Sequence, residues 1–62
     1  MLKLLDVVKL NDSDADVPVG SVGTIVEVLS DNCFIVEFFD KDHETIDASL
    51  DKVYNASQLI KT

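Results

Sequence analysis

The sequence predicts an all-β domain, a small barrel of four to five antiparallel strands with a long first loop and a short 3₁₀ turn near the C-terminus. Three observations predict it. β-branched and aromatic residues come in short runs, parted by polar clusters. Two of those runs are joined by Ser30-Asp31-Asn32-Cys33, a tight hairpin signal. The chain is 62 residues long, enough for one domain, and 47% hydrophobic content against 27% charged residues supports a core and argues against disorder.

The first strand is expected over Leu4–Leu10, with Val8 and Leu10 inward and Lys9 outward. Asn11–Ser21 reads as a loop. Pro18 has no N–H to give a ladder and Gly20 reaches positive φ without penalty. About ten residues is long for a hairpin connection, so the segment is either a binding loop or a packed flap over one end of the barrel. The second strand is Val22–Ser30 and the third Phe34–Phe39. A two-residue loop at Asp31-Asn32 sets Glu37 opposite Val26 and Glu27 opposite Val36, one stray carboxylate on each face. A three-residue loop, Asp31-Asn32-Cys33, pairs Ser30 with Phe34, Val28 with Val36 and Val26 with Phe38. Because a slip of one residue reverses the faces, the three-residue loop is expected. Val22, Val26 and Val28 then point to the core, and Leu29–Ile35, Glu27–Glu37 and Ile25–Phe39 pair on the outside.

Asp40-Lys41-Asp42-His43 is a second turn. Glu44–Leu50 is expected as the fourth strand, with Ile46, Ala48 and Leu50 alternating against Thr45, Asp47 and Ser49. Val53 and Tyr54 extend it through a bulge at Asp51-Lys52 or form a short strand of their own. Asn55 caps a single 3₁₀ turn, and Ile60 begins the last edge strand. This order of elements fits a small SH3-like barrel, in which near closure hides the sheet edges.

Val19-Gly20-Ser21-Val22-Gly23-Thr24-Ile25-Val26-Glu27-Val28 resembles the G-x-V-G-T-I-V-E-V segment of a family of small bacterial SH3-like domains. Leu5-Asp6-Val7-Val8, Ile35-Val36-Glu37-Phe38 and Ser57-Gln58-Leu59 are similar to that family's other marks, so the resemblance runs from about Leu4 to Leu59. A related segment occurs in the SH3-like domain of nitrile hydratase β-type subunits. The stretch from Asp47 to Asn55 is longer than the family's usual connection. Members of the family look like stand-alone partners, sometimes encoded beside toxins of ribonuclease-like fold, which implies an antitoxin or immunity-type protein. The motif itself is a fold signature, since Gly20 and Gly23 permit tight backbone geometry where the loop enters a curved strand.

Charge narrows the function classes. Twelve Asp and Glu stand against five Lys and no Arg, for a net charge of −7. Nucleic acid is recognised through clustered Lys and Arg, so direct DNA or RNA binding is not expected, whereas a basic protein partner suits the field. No apolar run is long enough to span a membrane, and the N-terminus lacks the pattern of a signal peptide. One Cys, with no second to pair with, fits a reducing, cytoplasmic setting.

Chemistry-bearing constellations are sparse. Asp12-Ser13-Asp14-Ala15-Asp16 suggests a calcium loop, but the EF-hand needs Gly at its sixth position and Glu at its twelfth, where this chain has Val17 and Gly23. The segment is read as a solvated acidic loop. His43 and Cys33 fall at opposite ends of the third strand, too far apart for a nucleophile pair. Tyr54 is expected to pack its ring with the hydroxyl in water. Four aromatic residues are too few for a Pro-rich-peptide groove. No catalytic residue, metal or cofactor is assigned.

The expected site is an interaction surface. Ile25, Leu29, Ile35 and Phe39 surround Glu27 and Glu37 on the outward face of the hairpin, with Asp40 and Asp42 at its end. Glu27 facing Glu37 creates a repulsion that a Lys or Arg of a partner relieves. The expected function is a non-enzymatic protein-binding module, an antitoxin or immunity-type protein acting on a basic, ribonuclease-like partner. The alternatives are an accessory or maturation subunit of a metabolic enzyme, and a phage-type inhibitor imitating nucleic-acid charge. The same outer face also leaves homodimerisation open.

Overall fold

Alternation decides β1 (Val7–Leu10): Val8 and Leu10 are buried, Val7 and Lys9 exposed. A computed structural model, which describes residues 1–62, places around it β2 (Val22–Ser30), β3 (Cys33–Phe39), β4 (Tyr54–Asn55) and β5 (Leu59–Lys61). Two 3₁₀ turns, Asp47–Asp51 and Ala56–Gln58, complete the structure. The five strands form one antiparallel sheet in the order β4-β3-β2-β1-β5. β4 and β5 lie at opposite edges, yet only the Ala56–Gln58 turn separates them in sequence. The sheet therefore curls until one short C-terminal segment reaches from edge to edge. No helix is long and apolar enough to cross a membrane.

Inside the curl, Val8, Leu10, Ile25, Val36 and Phe38 pack with Tyr54, whose ring meets Phe38 edge-on at 5.2 Å between centroids. Val17 is fully buried, so the long loop is a packed flap that contributes to the core.

The hairpin register differs from the expectation. Asp31-Asn32 is a two-residue turn closed by Ser30 opposite Cys33, followed by Val28 opposite Phe34, Glu27 opposite Ile35, and Ile25 opposite Val36. Register shifts leave Val26 and Leu29 as extra, bulged residues. The cause lies at the other end of β2. Gly23 sits opposite Phe38, where a Cβ would stand 2.6 Å from the Glu37 carbonyl oxygen and 2.8 Å from the Phe38 ring. Only glycine admits that approach, and it turns Gly23 and Ile25 inward. Val22, Val26 and Val28, expected in the core, are exposed, while Ile25, expected outside, is fully buried.

Two strand assignments also change. Leu4 and Leu5 are not in β1, because the Asp6 N–H returns to the Lys3 carbonyl at 3.1 Å and Leu5 has a φ of 70°. Glu44–Leu50 is not a strand beyond a single bridge from Thr45 to Phe39. The groups of Phe38 that a fourth strand would engage are met otherwise. Its carbonyl accepts the Ile46 N–H at 2.8 Å, and its N–H donates to the buried Ser49 Oγ at 3.1 Å. A 3₁₀ turn then follows, with the Ser49 N–H on the Ile46 carbonyl. The C-terminal expectations hold: the Asn55 N–H donates to Gln58 Oε1 at 2.8 Å across the short turn, and Ile60 lies in edge strand β5.

Candidate interaction site

Residues paired across strands share a face of the sheet, so the register defines the outward surface. One row runs Ile60–Lys9–Val22–Phe39 and ends at Thr45 through the bridge. Val22 and Ile60 are nearly half exposed, and Phe39 is half-buried. The next row is Val7–Thr24–Glu37, where Thr45 Oγ1 donates to Glu37 Oε2 at 2.7 Å.

The first row ends in a groove of about 750 Å³ between the segment Pro18–Val22 and the turn Phe39–His43. Val19, Val22 and Phe39 supply its apolar surface, and Asp40, Lys41 and His43 its polar rim. The turn is built by Asp40, whose Oδ1 accepts the N–H groups of Asp42 at 2.8 Å and Glu44 at 3.0 Å. His43 occupies the left-handed region at φ 65°, which closes the turn.

The expected site residues divide among several places. Phe39 and Asp40 line the groove, and Asp42 is exposed on the same turn. Ile35 and Glu37 share the outward face of β3 with Phe39 and are half-buried. Glu27 is exposed opposite Ile35, so it does not face Glu37 and the expected repulsion between them is absent. Leu29 sits exposed in the second bulge, close to the turn. Ile25 is in the core and leaves the site. Sequence reasoning missed Val22, which it placed inside, and Val19, Lys41 and His43. Pattern within β2 and β3 carries no signal for the latter, because the groove forms between two loops distant in sequence.

The acidic loop is held down rather than solvated. Lys52 forms ion pairs with Asp14 and with Asp16, the latter at 3.0 Å. The Tyr54 hydroxyl donates to Asp14 Oδ2 at 3.1 Å, which corrects its expected place in water. Gln58 Nε2 donates to Asp12 at 3.3 Å. Hydrogen bonds from Lys52 and from the Asp16 backbone hold the Asp14 carboxyl down at about 2. Burial, then the neighbouring Asp14, push the Tyr54 phenol up to about 12. The Asp14 and Asp16 carboxylates raise the Lys52 ammonium above its usual range. This cluster ties the loop to β4 and serves the fold. Cys33 carries a free thiol that donates to Asn55 Oδ1 at 3.9 Å.

Charge is unevenly placed. Residues 37–51 carry six carboxylates against one Lys, a net −5 of the chain's −7. None of the seven joins an ion pair, since the pairs engage only Lys52 with Asp14 and Asp16, and Lys61 with Asp6.

Residues 4–50 match the family described as Domain of unknown function (DUF4926). Among curated proteins and solved structures nothing matches. The match covers most of the chain, from Leu4 through β1, β2, β3 and the groove and into the 3₁₀ turn after it, and the chain belongs to this DUF4926 family.

Proposed function

We propose that the protein is a non-enzymatic binding module, an SH3-like barrel that engages a basic partner protein, and that it acts as an antitoxin or immunity-type protein by covering a basic surface of that partner. The observation that carries the reading is the unpaired net charge of −5 in residues 37–51, set beside an apolar groove. Such a field raises the association rate with a cationic surface, and the apolar row supplies the desolvated contact that holds the complex. The strand order β4-β3-β2-β1-β5, with a 3₁₀ turn between β4 and β5, supports the SH3-like assignment. The free thiol of Cys33 supports a reducing, cytoplasmic setting.

The test is affinity capture from native lysate at low and high salt, with Asp42→Lys/Glu44→Lys as the comparison. Both side chains are exposed and neither carboxylate holds the turn. The expected result is a stoichiometric basic protein, lost at high salt and lost with the double variant. Retention by the double variant at low salt removes the acidic segment from the interface. A second reading, an accessory subunit, is favoured by exposed Val26, Val28 and Leu29 toward the hairpin turn and by exposed Leu4 and Leu5, the latter bonded through its N–H to the Ile25 carbonyl. It predicts a partner retained at high salt through a larger apolar interface. A charge-imitating inhibitor shares the salt dependence and differs in that nucleic acid competes for its partner.

A further inference from the structure

We infer that the groove between Pro18–Val22 and Phe39–His43 takes an extended basic peptide segment, seating one aliphatic side chain of that segment over Val22 and Phe39. This rests on the basic-partner reading and specifies how the partner is held. The groove's volume, about 750 Å³, falls in the range of sites that enclose side chains or small ligands. Its apolar surface is open: Val19 is 62% exposed and Val22 43%. Gly20, at φ 90°, has no atom within 4 Å of where a Cβ would lie, so the wall beside Val19 is backbone with free space in front of it.

Charge complementarity selects the occupant. Asp40 uses only Oδ1 to hold the turn, and its Oδ2 has no partner within the protein. Asp42 and Glu44 follow on the same turn without ion pairs. A Lys or Arg flanking the seated side chain meets these carboxylates. Lys41 is the only lysine on the rim, and it opposes such a ligand. Phe39 is the only Phe, Tyr or Trp lining the groove, which is too little for a polyproline ligand read by stacked rings.

The probe is an acetylated, amidated Lys-Lys-Leu-Lys-Lys peptide titrated into the 62-residue chain and followed by amide chemical shifts. Shifts are expected at Val19–Val22 and Phe39–His43. Replacing the leucine by serine is expected to weaken binding about tenfold, the scale of burying one aliphatic side chain. Lys41→Ala is expected to tighten binding, and Val19→Ser to weaken it without touching the core. Equal affinity of the leucine and serine peptides overturns the inference and leaves the basic-partner reading standing, since charge alone then suffices. Shifts away from the groove, or no binding, overturn it as well. If the same residues shift when the chain is concentrated without peptide, a second copy is the occupant and the inference fails. Tighter binding of Glu-Glu-Leu-Glu-Glu overturns both this inference and the reading on which it rests.

Discussion

Removing the Tyr54 hydroxyl tests whether the long loop is held by Asp14. Tyr54→Phe keeps the ring, which is 1% exposed and stands at 75° to Phe38, and deletes only the O–H that donates to Asp14 Oδ2. A hydrogen bond to a charged acceptor contributes about 1.5–3 kcal/mol. Asp14 keeps Lys52 and the Asp16 N–H, so no carboxylate is orphaned and a value around the bottom of that range or just below it applies, about 1–2 kcal/mol. A 62-residue chain has a total stability of roughly 3–9 kcal/mol. The expected fall in Tm is about 5–15 °C, from about 4–8 °C per kcal/mol in a domain of this size.

The same hydroxyl has a pH signature. Tyr54 is the only tyrosine and there is no tryptophan, so tyrosinate absorbance reports it alone. The folded chain is expected to titrate at about 12 and the denatured chain at about 10. Because the folded value is raised, the stability from this group is complete below about pH 10 and lost as pH rises toward about 12. Lys52, also raised, adds to the loss at high pH. Tyr54→Phe is expected to flatten its share of that decline. A tyrosinate midpoint of about 10 in the folded chain, with a Tm unchanged in Tyr54→Phe, refutes the tether and returns the hydroxyl to water.

Other outcomes follow from the same geometry. Gly23→Ala pushes a methyl against the Glu37 carbonyl and the Phe38 ring, and is expected to cost about 2–3 kcal/mol in urea unfolding. Ser49→Ala strips the buried Phe38 N–H of its acceptor, and should cost about 1–3 kcal/mol and speed exchange of that amide. Asp14, held at about 2, contributes stability above its ordinary pKa that is lost as pH falls from about 4 toward about 2; Asp14→Asn should remove that acid-side slope in thermal melts. Ile25→Ala is expected to cost about 2–5 kcal/mol, while Leu29→Ala should stay within about 0.5 kcal/mol; an Ile25→Ala cost as small as that of Leu29→Ala would restore the three-residue hairpin register, in which both side chains point outward.

Much of the fold is legible along the chain because it rests on local chemistry. Alternation placed Val8, Leu10 and Lys9 on their faces, Pro18 and Gly20 marked the loop, and the short 3₁₀ turn was expected at Asn55, where Gln58 now engages its N–H. The site was legible only in part. Phe39, Asp40 and Asp42 meet at one end of the sheet, but Ile25 belongs to the core and Val22 to the surface. That exchange came from contact between strands. The Phe38 ring lies on Gly23, two bulges absorb the mismatch in β2, and each bulge shifts the parity on which face assignment depends.

The remaining differences have the same origin. Glu44–Leu50 alternates like a strand, and nothing within it reveals that Ile46 and Ser49 satisfy Phe38 and leave no ladder to extend. The Asp12–Asp16 loop reads as solvated acid until Lys52 and Tyr54 arrive from about forty residues away. Composition and local pattern therefore settle class, where the hairpin turns fall and net charge, because those depend on neighbours in the chain. Register, the tethered loop and the groove between Val19 and Lys41 depend on backbone and side-chain partners brought together from distant positions, and they exist only once the sheet has curled.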